Sequence, residues 1–247
     1  MGTIEMVKTG IAGLDDLVGG GFPAGSCVLV SGKIGTGKSI FAMQYVAKGI
    51  TDYGDLGVLV SLERNKKDLY RDASAFGLHL QRFEEEGTLQ ILGGSLSAVS
   101  REMRKAKAKI EDLISEVVEA VETSGSKRMA LERVDLLPRL SPDEQEIMVQ
   151  LSDLRERLGD LGCTSVLTSE LRKGSEELSQ VGAEEVADGV IVLYYEGEGL
   201  TRDRALEIRK MRGTEHSNQL HFFDITDMGI TIAKISEERK SKLPRGS

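Results

Sequence analysis

The segment Gly32-Lys33-Ile34-Gly35-Thr36-Gly37-Lys38-Ser39 constrains this chain more than any other. It satisfies the pattern G-x-x-x-x-G-K-[ST] in the context that gives the pattern meaning, with the apolar run 26–31 before it and a helical pattern over 38–49 after it. Gly35 and Gly37 let the backbone bend and turn its N–H groups inward, and the helix beginning near Lys38 presents its positive end to an anion. Such a loop cradles the phosphates of a nucleotide such as ATP or ADP. Ile34, Gly35, Thr36, Gly37, Lys38, Ser39 and Ile40 are therefore the candidate binding residues. Lys38 is expected to bridge the β- and γ-phosphates and the Ser39 hydroxyl to ligate Mg²⁺.

The rest of the chain fits the α/β fold that a P-loop requires. Apolar β-rich runs at 57–62, 88–92, 128–131 and 164–168 alternate with helical patterns at 66–76, 97–123 and 142–161. That alternation predicts βαβ units and a mostly parallel central sheet flanked by helices. After Asp188 the runs shorten (190–195, 205–211, 219–225, 230–235) and are separated by Gly, Asp and Asn turns, which predicts a C-terminal antiparallel β extension. With 247 residues, no repeat and no low-complexity linker, residues 1–241 read as one domain. Residues 242–247 (KLPRGS) resemble a protease-site remnant and read as a tail.

Composition narrows the function classes. A net charge of −8 and a pI near 5.1 argue against a surface dedicated to nucleic acid. No apolar run reaches membrane-spanning length and the first residues lack a secretory h-region, so a cytoplasmic protein is expected. Cys27 and Cys163 lie in apolar runs and read as buried free thiols. The basic cluster Arg101, Arg104, Lys105, Lys107 and Lys109 reads as a solvated helix face.

Hydrolysis would need two acids near the phosphates. Glu132 closes the run 127–132 and is the candidate to serve the magnesium ion, with Asp135 as its competitor. Glu63 follows the run 57–62, expected to lie beside the P-loop strand, and is the candidate to orient or deprotonate the attacking water.

Further residues carry a resemblance. Thr9-Gly10-Ile11-Ala12-Gly13-Leu14-Asp15, followed by Gly19-Gly20-Gly21-Phe22-Pro23-Ala24-Gly25, is similar to the lead-in of KaiC-like proteins, a branch of the RecA-like P-loop fold. The run 206–216, with Lys210-Met211-Arg212-Gly213-Thr214-Glu215-His216, resembles that family's KMRGT-x-H strand, and Phe223-Asp224-Ile225-Thr226 with Gly229-Ile230 resembles its closing hairpin. The resemblance covers residues 7 to 233. It implies an ATPase whose nucleotide sits between subunits of a homo-oligomeric ring, usually a hexamer, acting as a regulatory switch read by a protein partner. It further implies that Lys210 and Arg212 act in trans on the neighbour's γ-phosphate, with Met211, Thr214 and His216 lining the same nucleotide.

Three positions depart from the family pattern. The paired acids are Glu63-Arg64, the Asp-Ser of the metal strand is Glu132-Arg133, and Glu184-Glu185 stand where some KaiC domains carry phosphorylated Ser and Thr. An ATPase with weak turnover is expected, ahead of an autokinase. Two alternatives remain: a RecA-type recombinase paralogue binding single-stranded DNA through 170–181, and a nucleotide-gated scaffold without turnover. The first is disfavoured by that segment's lack of aromatics.

Overall fold

A computed structural model describes residues 4–93, 109–171, 178–196 and 202–232. Strands β1 (Met6–Val7) and β2 (Phe22–Pro23), separated by the one-turn helix α1 (Leu14–Leu17), form a small antiparallel ribbon before the main sheet. The main sheet contains β3 (Cys27–Gly32), β4 (Gly57–Ser61), β5 (Leu89–Gly93), β6 (Arg128–Glu132), β7 (Thr164–Glu170), β8 (Gly189–Glu196), β9 (Asp203–Met211), β10 (His221–Thr226) and β11 (Gly229–Ile232). Their spatial order is β11-β10-β9-β8-β3-β7-β6-β4-β5. Strands β8 to β5 in this order are parallel; β9, β10 and β11 add on antiparallel beyond β8. The expected mixed sheet is thus present, with its P-loop strand central.

Side-chain alternation divides the core into two layers. Val28 and Val30 face α2 (Lys38–Tyr53), α3 (Lys66–Ser74) and α4 (Leu80–Glu85). Cys27 and Leu29 face α5 (Ile110–Ser124) and α6 (Glu144–Asp160). A strand covered on both sides has no polar face, which is why β3, β4 and β6 are buried throughout. Asn65 caps α3 by accepting from the Asp68 amide, and Asp143 caps α6 by accepting from Gln145 and Glu146. Both cysteines are buried and unpaired.

One expectation needs correction. The strand leading to Glu63 is not beside the P-loop strand: β7 and β6 lie between β3 and β4, about 14 Å across three strand spacings. Glu63 also lies two residues beyond the end of β4. A run of residues announces a strand but not its neighbours, and β7, coming late in the chain, inserts beside β3. Within the predicted helix 97–123, the described part begins at Ile110; Arg101, Arg104, Lys105 and Lys107 lie outside the described residues, as do 172–177 of the supposed DNA loop and the tail. No helix among the described residues is long and apolar enough to cross a membrane.

Candidate nucleotide site

Because the central strands are parallel, β3, β7, β6 and β4 all end on one edge of the sheet, where ligands gather in open α/β folds. There a cavity of about 570 Å³ is lined by the P-loop together with Glu63, Phe76, Arg133, Glu170, Arg204 and Ile225. Gly37 has φ 107°, and a Cβ there would come within 3.1 Å of Ile225 Cδ1. At Gly32 a Cβ would meet the Leu193 carbonyl oxygen at 2.6 Å, so the loop can leave the strand only through glycine.

Inside the loop, Thr36 Oγ1 donates to the Lys33 carbonyl at 2.9 Å, a structural contact, while Ile34 at the tip is 78% exposed. Ile40 is half-buried and packs on the core behind the loop. Lys38 is 7% exposed, and its ammonium donates to the carbonyls of Gly32 (2.8 Å) and Lys33 (2.9 Å). Burial lowers its pKa, against the pull of Glu170.

Glu132 ends β6 almost wholly buried. Its Oε1 accepts from Arg64 Nη2 at 2.8 Å, while Oε2 has no hydrogen-bond partner among the described residues. Burial raises its pKa, opposed by Arg64 and by the hydroxyls of Ser39 and Ser61. A carboxylate oxygen left orphaned beside the P-loop serine fits a magnesium ion or its water, because an unmet buried acceptor is costly. Across the loop, Arg204 Nη2 lies 3.4 Å from the Gly35 carbonyl oxygen, its guanidinium stacks over Tyr195 at 4.3 Å, and its buried Nε likewise has no partner among the described residues. An unmet acceptor on one side and an unmet donor on the other suit a metal-bound phosphate.

Asp135 is committed elsewhere. Its Oδ1 accepts the Glu170 amide at 2.9 Å, and both oxygens accept from Arg133. It sits in a 3₁₀ helix (Val134–Arg139) rather than at the strand end, so Glu132 is the better metal candidate. Arg133 is the one non-glycine residue with positive φ (67°) among those described, a conformation costing on the order of 1–2 kcal/mol. Its amide donates to Thr168 Oγ1 (3.0 Å), and its guanidinium reaches Asp135, Glu170 and Glu63.

The trans candidates are elsewhere. Strand β9 runs back along β8, so Lys210 pairs with Val190, whereas the P-loop leaves β3 opposite Leu193. That places Lys210 about 10 Å down the sheet from the loop's root, and two strands to the side. Its ammonium donates to the carbonyls of Glu184 (3.2 Å) and Ala187 (2.6 Å). Arg212, with a 58% exposed side chain, lies 3.5 Å from Asp188, which Arg155 also holds. Neither cation belongs to the cavity around this chain's own P-loop.

Thr214 and His216 share the loop after β9, bonded to nearby main-chain oxygens. Met211 departs from expectation: its side chain is buried in the core against Gly189, leaving only its main chain for a ligand. The residues that sequence reasoning missed are Glu170 and Arg204. Glu170 ends β7, which no motif marks as the P-loop's neighbour, and Arg204 reaches the loop only because β9 folds back.

Comparison with known proteins agrees with this geometry. The family model described as "ATPase: KaiC" matches residues 7–237. A UPF0273 protein of Methanocaldococcus jannaschii is 34% identical over 235 residues, covering 93% of this chain and 96% of the relative. The circadian clock oscillator protein KaiC of Synechococcus elongatus is 33% identical over 237 residues, covering 96% of this chain but 46% of KaiC. The crystal structure of a KaiC-like protein from Pyrococcus horikoshii superposes with a TM-score of 0.82 at 33% identity, over 94% of this chain and all of that one. A P-loop on a RecA-like sheet, with a matching family model across nearly the whole chain, settles the affiliation: this chain belongs to the KaiC family of ATPases.

Proposed function

We propose that the protein is a slowly hydrolysing Mg·ATPase that holds its nucleotide between neighbouring subunits of a ring and presents the nucleotide state to a protein partner. The observation carrying this reading is the split of cations: Lys38, Arg133 and Arg204 line the P-loop cavity, while Lys210 and Arg212 lie outside it, toward the other end of β9. Head-to-tail contacts between identical chains close such a ring.

In this reading the P-loop amides and Lys38 bind the phosphates, exchanging the Gly32 and Lys33 carbonyls for phosphate oxygens. Ser39 and Glu132 would hold Mg²⁺, whose charge offsets that of the β- and γ-phosphates. Glu63 accepts the proton of a water as its oxygen bonds to Pγ, and the bond from Pγ to the β-phosphate oxygen breaks. Phosphate leaves with the water oxygen, and ADP keeps the bridging one. Turnover is slow because both acids begin in ion pairs, Glu63 with Arg133 and Glu132 with Arg64. Those pairs also favour the second reading, a scaffold that binds ATP without cleaving it; release of phosphate separates the two.

Titration with ATP in the presence and absence of Mg²⁺ tests the site. Lys38→Ala removes a charge-assisted contact and should weaken Mg·ATP binding by about 1.5–3 kcal/mol. Glu132→Gln should bind ATP nearly as well without Mg²⁺ but lose most of the parent's gain from adding it. Equal affinity of Lys38→Ala and the parent would remove the P-loop assignment.

A further inference from the structure

Arg133 is unusual in its backbone and in its position. Its left-handed conformation is pinned by the bond from its amide to Thr168 on β7, and the result is a guanidinium aimed into the P-loop cavity. Residues held in such conformations concentrate at functional sites. The side chain is gripped unevenly. Nε and Nη2 form a two-toothed pair with Asp135, itself buried and anchored by the Glu170 amide, and Nη2 also lies 3.2 Å from Glu170 Oε2. Nη1 forms the other grip, 2.8 Å from Glu63 Oε1, and Glu63 is exposed. One edge of the guanidinium is therefore fixed in the protein, while the other meets an exposed side chain at the cavity wall. The charges acting on the Lys38 ammonium are these same groups, Glu170, Arg133, Asp135 and Glu63.

We propose that Arg133 is a cis-acting contact for the γ-phosphate that exchanges its ion pair with Glu63 for the terminal phosphate of a bound nucleoside triphosphate. The exchange leaves the Asp135 edge intact, so Arg133 needs no new backbone position to make it. The fork geometry of arginine suits it, since two edges can serve two anions at once. The consequence is a switch that distinguishes ATP from ADP inside one subunit: a terminal phosphate draws Nη1 away and releases Glu63 toward water, whereas a diphosphate leaves the pair in place. This rests on the ATP-site reading above and adds to it a residue for discriminating the third phosphate.

Parallel titrations of the full chain with Mg·ATP and Mg·ADP test the exchange. Arg133→Asn, a residue that tolerates the left-handed backbone, should lose about tenfold or more in ATP affinity, the worth of a charge-assisted contact, with ADP affinity unchanged. Arg133→Lys keeps the charge but loses the second edge, and should shift the ratio in the same direction. Glu63→Gln removes the competitor and should raise ATP affinity several-fold over ADP, a gain that disappears in the Arg133→Asn/Glu63→Gln double variant. An ATP-to-ADP ratio unchanged in both Arg133 variants, or a gain that survives in the double variant, overturns the proposal while leaving the ATP site standing. A parent chain that binds neither nucleotide removes the ATP site, and the proposal with it.

Discussion

Mixing two inactive variants should restore ATPase activity. Lys38→Ala lacks its P-loop lysine but keeps the β9 cations; Lys210→Ala/Arg212→Ala has the reverse defect. In an assembly of either variant alone every composite site is missing one half. In a mixed one, a P-loop from the second can face cations from the first, and at equal mixing about a quarter of interfaces would be complete if subunits assemble at random head to tail. The effect should be large, because arginine supplied across an interface is worth about 10³–10⁵ in rate. Arg212 suits this role through its exposure and because Asp188, 3.5 Å away, is its one side-chain partner among the described residues. Lys210 must first give up the Glu184 and Ala187 carbonyls, and burial already lowers its pKa. Activity that fails to recover, despite exchange of subunits shown by mass, would mean that these cations do not complete a neighbour's site. Their distance from the chain's own P-loop would then leave them without a catalytic role.

Replacing Glu63 with Gln should lower kcat by about 10²–10⁴ while ATP remains bound, the range expected for loss of a positioned general base. The measurement is phosphate release at saturating Mg·ATP. An unchanged rate would point to Glu170, the other carboxylate lining the cavity, which ends the strand next to the P-loop strand. Glu170→Gln in the same assay distinguishes the two, and only one of them should show the large effect.

What the sequence disclosed and what it withheld follow from the range of the interactions involved. The P-loop was legible because its chemistry lies in eight consecutive residues, and its glycines are required by local conformation and close approach at Gly32 and Gly37. Strands such as β3 and β6 were legible as apolar runs because both faces are covered. The late antiparallel strands were legible from their shortness and turns. Strand order was not, since nothing in 164–170 states that it will insert between β3 and β6. The same limit hid Glu170 and Arg204. Arg204 and Lys210 lie on one strand, yet the fold-back of β9 carries one to the P-loop and the other to the opposite end of the sheet. Met211 illustrates a smaller miss, in which membership of a motif was taken as contact although the side chain belongs to the core. Arg64 and Arg133 were visible as departures, but only the structure reveals that each pairs with the acid of the other's segment.

If ATP is held between subunits, activity depends on assembly, and assembly on ATP. Molecular mass in solution, measured across a dilution series with and without Mg·ATP, tests this most directly. Mg·ATP should favour one closed assembly, six times the 26.9 kDa chain for a hexamer, and turnover per chain should fall as dilution dissociates it. A 26.9 kDa monomer that hydrolyses Mg·ATP at a rate per chain independent of concentration would contradict it.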